Sequence, residues 1–177
     1  MMMAVLSSFW RDQRGVAGAE MALMTPLLLI LMFAPMELGN FYWSQHKISK
    51  GVRDASRYAA RLPFAVFEDY ECGDEIADAV IATPIKNLAL SGAINGGTAK
   101  IQDWDLDDVA IFKICRDQAL DGSGDNFVNT GIYTGVANAP IVRVEAVVTY
   151  PSLFESLGFD ATDIQMTAHS ESAVMGL

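Results

Sequence analysis

A single carboxylate lies near the start of a long apolar segment. Glu20 is the one acidic residue between Arg14 and Met36, where the other side chains are apolar or small. An unpaired carboxylate is expensive to bury in lipid, so it must either stay near hydrated headgroups or meet a cation. Two roles therefore remain open for Glu20: an interface residue that keeps its water, or one half of an ion pair in the membrane.

The other polar residues offer little for catalysis. His46 and His169 are the two histidines, and neither belongs to an HExxH, GxSxG, phosphate-loop or paired CxxC pattern. The DGSGDN stretch at 121–126 is similar to a calcium loop only at its start, because Ile132 stands where the twelfth-position glutamate would be. The acidic DWDLDD stretch at 103–108 predicts an exposed turn more readily than a cation site. We therefore expect no enzyme, no cofactor and no metal site.

The apolar segment has the length of a membrane span. Residues 16–36 would form about 31 Å of helix at ~1.5 Å per residue, which matches a hydrocarbon core of about 30 Å. A buried helix of a soluble domain is the alternative, but such helices rarely contain ~20 apolar residues. Small residues precede the apolar core rather than follow it, unlike a cleaved secretory signal. Pro26 and Pro35 are expected to kink or loosen the helix, which membranes tolerate.

Charge is distributed unevenly along the chain. Residues 1–61 carry seven Lys or Arg and four Asp or Glu, whereas residues 62–177 carry five and eighteen. The net charge is therefore +3 in the first part and −13 in the second, and the acidic second part is a poor candidate for binding nucleic acid. Arg11 and Arg14 precede the span, so the positive-inside rule predicts a cytoplasmic N-terminus and an exported C-terminal part.

The segment around the span resembles a known family. Its features are, in order, Arg14-Gly15, small residues, Glu20, the apolar run, Glu-Leu-Gly at 37–39 and the Ala-rich ASRYAAR at 55–61. This order resembles the TadE-like proteins of tight-adherence (Tad/Flp) pilus systems, and its first part resembles the leader of type IV-like pilins. The resemblance covers residues 11–61 and continues weakly in VRVEAVVTYPSLF at 142–154.

The resemblance implies processing followed by assembly. A prepilin peptidase would cut between Gly15 and Val16, which would leave a free α-amine on Val16 and make Glu20 the fifth mature residue. In pilin-like assemblies this carboxylate meets the amine of a neighbouring subunit, so that both charges become tolerable in the membrane.

The implied protein is a pseudopilin or minor pilin that takes part in assembly of a Tad/Flp type IV pilus. Its implied location is the bacterial inner membrane, at the base of the pilus or within it. The implied partners are other pilins or pseudopilins, the prepilin peptidase, the inner-membrane platform proteins and the lipid bilayer. The alternative is an uncleaved, membrane-anchored scaffold of the pilus machine.

These features divide the chain into four predicted parts. Residues 1–15 are the cytoplasmic leader, 16–36 the single transmembrane helix, 37–61 its continuation, and 62–177 a periplasmic α+β domain. The implied fold is pilin-like, with a long N-terminal helix packed on a small antiparallel β-sheet domain that has a second helix.

The continuation of the first helix predicts two faces. A stripe with 3-4 spacing is expected to pack on the domain: Leu38, Phe41, Gln45 (the polar exception), Ile48, Val52, Ala55 and Ala59. A basic face lies nearly opposite, with Asp54 interrupting it: Lys47, Lys50, Arg57 and Arg61. The basic face is either solvated or in contact with an acidic domain, its own or a neighbour's. Leu62-Pro63 is expected to end the helix.

A second helix and three strands are predicted beyond it. The helix is expected over 74–92, with Asp74 as its cap, Pro84 as a break or kink, Gly92 at its end, and a packing stripe of Ile76, Ala79, Val80 and Thr83. Alternation predicts strands at 108–115, 141–150 and 163–174, with a long loop over 116–140. In the second strand, one face should carry Val142, Val144, Ala146 and Val148, and the other Arg143 and Glu145.

The two cysteines, Cys72 and Cys115, allow one disulfide outside the cytoplasm. Such a bond would tie the segment before the second helix to the end of the first strand. Two buried free thiols are the alternative.

Overall fold

The computed structural model describes residues 15–116, 131–133, 139–155 and 163–176. Its main elements are α1 (Val16–Ala59), α2 (Ala79–Ser91), β1 (Val109–Arg116), β2 (Ala139–Thr149) and β3 (Gln165–Ala173). The expected α+β fold is confirmed. The described residues divide into two compact units at Asn40 and Phe41, and each unit is described by itself. Most of the expected leader, the DGSGDN stretch and most of the 116–140 loop lie outside the described residues.

The three strands form one antiparallel sheet in the order β1-β2-β3. β2 pairs with β1 along the whole of β1. It also pairs with β3, from Ile141 opposite Ala173 at one end to Thr149 opposite Gln165 at the other. The predicted alternation of β2 is confirmed, because one face buries Val142, Val144, Ala146 and Val148. All three strands lie within two residues of their predicted bounds.

The core of the domain forms where the last part of α1 meets the sheet and α2. The buried residues of α1 are Ser44, Ile48, Gly51, Val52, Ala55, Ser56 and Ala59. Four of these belong to the predicted stripe, whereas Phe41 and Gln45 are half-buried and Leu38 is 54% exposed. Helix α1 ends at Ala59, just before the predicted stop. A tighter turn follows, in which the Leu62 N–H donates to the Ala59 carbonyl at 3.1 Å.

Helix α2 begins five residues later than the sequence predicts. The reason is that residues 73–76 pair with the open edge of β1: the Ile76 N–H donates to the Ile111 carbonyl at 2.8 Å, so this backbone is not free to form a helix. Asp78, not Asp74, caps α2 by accepting a hydrogen bond from the Val80 N–H.

The packing face of α2 also differs from the predicted one. Its buried residues are Ala82, Ile85, Ala89 and Leu90. Of the predicted stripe, Val80 is 82% exposed and Ala79 and Thr83 are exposed as well, so these three are wrong. Ile76 is buried as predicted, but it lies before the helix. Pro84 lies inside the helix without ending it, because its missing N–H removes a bond to a carbonyl in the exposed first turn. Gly92 ends the helix in the left-handed conformation, as expected.

Candidate functional site

The residues predicted for cleavage and pairing lie at the start of α1. Gly15 directly precedes the helix, Val16 is its first residue, and Glu20 lies one turn further on. Residues four apart are neighbours on one helix face, so Val16 and Glu20 lie on the same side, and both are exposed. A Cβ on Gly15 would meet no atom within 4 Å, so the fold of the described residues does not explain a glycine there.

The N-terminal part of α1 has the properties of a membrane anchor. An 18-residue window has a mean hydropathy of 2.0, and none of it is buried in the protein. The helix runs on through Pro26 and Pro35. The Thr25 hydroxyl donates to the Met21 carbonyl at 2.6 Å, which gives this polar group a partner inside its own helix. The segment can therefore enter lipid with Glu20 as its one charged side chain.

Helices α1 and α2 approach each other closely at Gly51. A Cβ built on Gly51 would lie 2.3 Å from the Ala89 carbonyl oxygen and 3.1 Å from the Trp104 ring. A contact of 2.3 Å is impossible without movement of the backbone, so this crossing requires glycine. The sequence pattern missed this residue. Its one signal is that a glycine inside a helix is unfavourable unless packing or function requires it.

The acidic stretch at 103–108 is only partly the exposed turn that was predicted. Trp104 is 1% exposed and belongs to the core. The aspartates around it lie at the surface, where the Asp105 N–H donates to the Asp108 carboxylate at 2.9 Å and caps a short 3-10 turn. The stretch therefore anchors the loop before β1 through its tryptophan.

Polar side chains join α1 to β3. The Ser56 hydroxyl is fully buried and lies 3.0 Å from the Ser170 hydroxyl and 3.1 Å from the Ser172 hydroxyl. Gln45, the polar exception in the predicted stripe, donates from its amide to the Thr167 carbonyl at 2.8 Å. These bonds hold the helix and β3 in one register, since buried hydroxyls need partners. Periodicity alone does not identify Ser56, because serine is common on solvated faces.

A disulfide closes the other edge of the sheet. Cys72 is bonded to Cys115, with the two Cα atoms 5.4 Å apart, so the pairing expected from the sequence is present. Beside it, the Lys113 ammonium donates to the carbonyls of Phe67 and Tyr70. The segment before α2 is thus fixed to β1 by a covalent bond and by charge-assisted hydrogen bonds.

The basic face of α1 meets its own domain at one backbone group. The Lys47 ammonium donates to the Lys100 carbonyl at 3.2 Å, while the other residues of the basic face, Lys50, Arg57 and Arg61, are exposed. Lys100 itself is half-buried and donates to a carbonyl of the last turn of α2. Burial lowers the pKa of Lys100, although the charge of Asp54 opposes that shift.

The outer face of the sheet carries an ion-pair cluster. Arg143 donates to Glu171 at 2.9 Å and to Glu145 at 3.3 Å. The hydrogen bond to Glu171 raises the pKa of Arg143. Because the side chains are exposed to water, we assign the cluster a small share of the stability.

Neither histidine belongs to a reactive cluster. His46 and His169 are both exposed. Within residues 15–116, 131–133, 139–155 and 163–176, no group of three or more His, Cys, Asp or Glu side chains could hold a metal ion. What the described residues do form is an apolar helix with one carboxylate, joined to a small disulfide-bonded domain.

These features define the class of protein: in the described part of the chain, one candidate membrane helix has a continuation that packs on an antiparallel α+β domain. Residues 15–57 match the family model described as TadE-like protein, so the resemblance in the sequence is confirmed over this segment. The TadE-like family indicates a protein associated with Tad pili. No curated protein and no solved structure matches the chain significantly.

Proposed function

We propose that this protein is a pseudopilin or minor pilin that takes part in assembly of a Tad/Flp pilus at the bacterial inner membrane. The observation that carries the proposal is the match of residues 15–57 to the TadE-like family, which covers both the apolar run and the helix that supports the domain. The role is structural, since subunit contacts and membrane insertion require no reacting group.

In this proposal Glu20 acts only after processing. Removal of the leader after Gly15 exposes the α-amine of Val16, and the Glu20 carboxylate of one subunit pairs with the amine of a neighbour. Pairing offsets the penalty that each isolated charge has in lipid. A carboxylate that fits a neighbour's amine in this way favours correctly placed incoming subunits.

The proposed topology is a cytoplasmic N-terminus and a periplasmic domain. The disulfide between Cys72 and Cys115 supports it, because stable disulfides belong to oxidising compartments. The exposed arginines of α1 are then available to acidic surfaces of neighbouring pilins, in agreement with the excess of Asp and Glu after residue 61. The prepilin peptidase and the inner-membrane platform proteins complete the set of proposed partners.

The decisive experiment is to determine the N-terminus of the protein extracted from membranes of piliated cells. We expect the mature chain to begin at Val16. Gly15→Val should leave the leader in place and reduce piliation, whereas Gly39→Val, the same change at an exposed position of the same helix, should be processed normally. A wild-type chain that keeps its leader in piliated cells would refute the cleaved subunit and favour the uncleaved scaffold.

A further inference from the structure

Four large apolar side chains are exposed near the start of the domain. Tyr42 and Trp43 on α1 are 63% and 62% exposed, and Leu153 and Ile164 in the β2–β3 connection are 52% and 47% exposed. We call these four residues the rim. Exposed apolar side chains are common singly, but a group of this kind indicates a contact surface.

Contacts within the domain bring the two parts of the rim to the same end. The ring of Phe41, next to Tyr42, lies 5.2 Å from the ring of Tyr150. The Tyr150 N–H donates to the Ile164 carbonyl at 2.9 Å, and Gln45 donates to Thr167 just beyond. The start of the domain's helix and the β2–β3 connection are therefore neighbours in space.

Chain length limits the distance between the apolar run and Phe41, the first residue of the domain. Met36 is the last residue of the apolar run, and only five residue steps lead from it to Phe41, a distance of at most about 18 Å even when fully extended. Tryptophan and tyrosine concentrate at membrane–water interfaces, where the ring is partly in lipid and the polar atom is hydrated. Lys47 lies 5.8 Å from the centre of the Trp43 ring, so a cation accompanies the aromatic pair.

We infer that the rim rests on the lipid headgroup region, so that Leu153 and Ile164 contact the bilayer together with Tyr42 and Trp43. The contact at Leu153 and Ile164 is apolar rather than electrostatic, because the exposed charges beside these two residues, Glu155 and Asp163, are acidic. It therefore needs no anionic lipid. The inference rests on membrane insertion of residues 16–36 and is independent of the proposed role in pilus assembly.

The test places a tryptophan at the rim and measures its quenching by lipid. The full chain is reconstituted in phosphatidylcholine vesicles with brominated acyl chains. Trp10→Phe and Trp43→Phe leave the buried Trp104 as the reference emitter, and Leu153→Trp or Ile164→Trp is added to that background. The matched control is Met175→Trp, which is 53% exposed just beyond the far end of β3, a nine-residue strand of about 30 Å.

We expect the brominated lipid to quench the fluorescence of the tryptophan introduced at position 153 or 164 about twofold more than that of the tryptophan introduced at position 175. Equal quenching at all three positions would overturn the inference. A blue-shifted but unquenched emission at the rim would overturn it as well, because protein would then cover the rim.

A chain in which only Trp10 is replaced separates this inference from membrane insertion. Quenching of Trp43 with no quenching at positions 153 and 164 refutes the contact of Leu153 and Ile164 with lipid, but it agrees with membrane insertion of residues 16–36. Absence of quenching at positions 43, 153 and 164 refutes the contact of the whole rim with lipid. Retained piliation by the rim variants would bear only on assembly, so pilus counts are not used as a readout.

Discussion

Gly51→Ala tests how closely α1 packs against α2. The added methyl would lie 2.3 Å from a backbone oxygen of Ala89, so the helices themselves must move apart. Such overpacking costs about 1–3 kcal/mol. Alanine is favoured over glycine inside a helix by about 1 kcal/mol, which offsets part of that loss. Because the obstacle is backbone, we take the upper half of the overpacking range and expect a net destabilisation of about 1–2 kcal/mol.

The measurement is thermal unfolding of the full chain in detergent, followed by the emission of Trp104 in the Trp10→Phe, Trp43→Phe background. A loss of about 1–2 kcal/mol in a domain of this size lowers the melting temperature by roughly 3–10 °C. The control is Gly39→Ala in the same helix, where an added Cβ meets no atom within 4 Å. If Gly51→Ala melts at or above the wild-type temperature, the close approach of the two helices is wrong.

Four further predictions follow from charges, hydroxyls and thiols. Glu20→Gln should leave membrane abundance and cleavage normal but remove most pili, with Glu20→Asp intermediate; full piliation of Glu20→Gln at normal abundance would rule out the pairing role. Ser56→Ala should destabilise the domain by about 0.5–1.5 kcal/mol in the same melting assay, because its two half-buried serine partners on β3 each lose a hydrogen bond; an unchanged melting temperature would contradict this. Non-reducing mass spectrometry should link Cys72 to Cys115, and reduction should lower stability by up to about 4 kcal/mol for a separation of 43 residues; alkylation of both thiols in native protein would contradict this. Burial lowers the pKa of Lys100, so between that lowered pKa and 10.5 the unfolded chain binds more protons than the folded chain, and the contribution of this site to stability should rise with pH in that window. Lys100→Met should therefore reduce the rise of the melting temperature with pH, and a pH profile identical to that of the wild type would exclude the effect.

Local patterns were sufficient to predict the elements that repeat regularly. The apolar run and the 3-4 stripe predicted α1 to within two residues of its observed end, and strict alternation predicted the buried face of β2. The cysteine count predicted the pair that is bonded. In each case the signal lies in residues close together in the chain or in composition, where periodicity and redox chemistry act without reference to the rest of the fold.

Helix α2 shows where this reasoning stops. Its sequence from Asp74 has the cap and spacing of a helix start, yet residues 73–76 pair with the edge of β1 and the helix begins at Ala79. The competing partner is more than thirty residues further along the chain. A local pattern cannot weigh a hydrogen bond to a strand that distant, so both the start and the packing face were misplaced.

The sequence by itself determined that this chain has an apolar run with one carboxylate, a helix continuing from it, and an acidic domain that can hold one disulfide. These properties follow from composition, charge and period. Only the tertiary structure decided that Gly51 must be glycine, that Ser56 is a buried hydrogen-bonding group, and that Trp104 belongs to the core. Each depends on atoms from distant segments meeting at the same place, which happens only once the helices and the sheet have packed together.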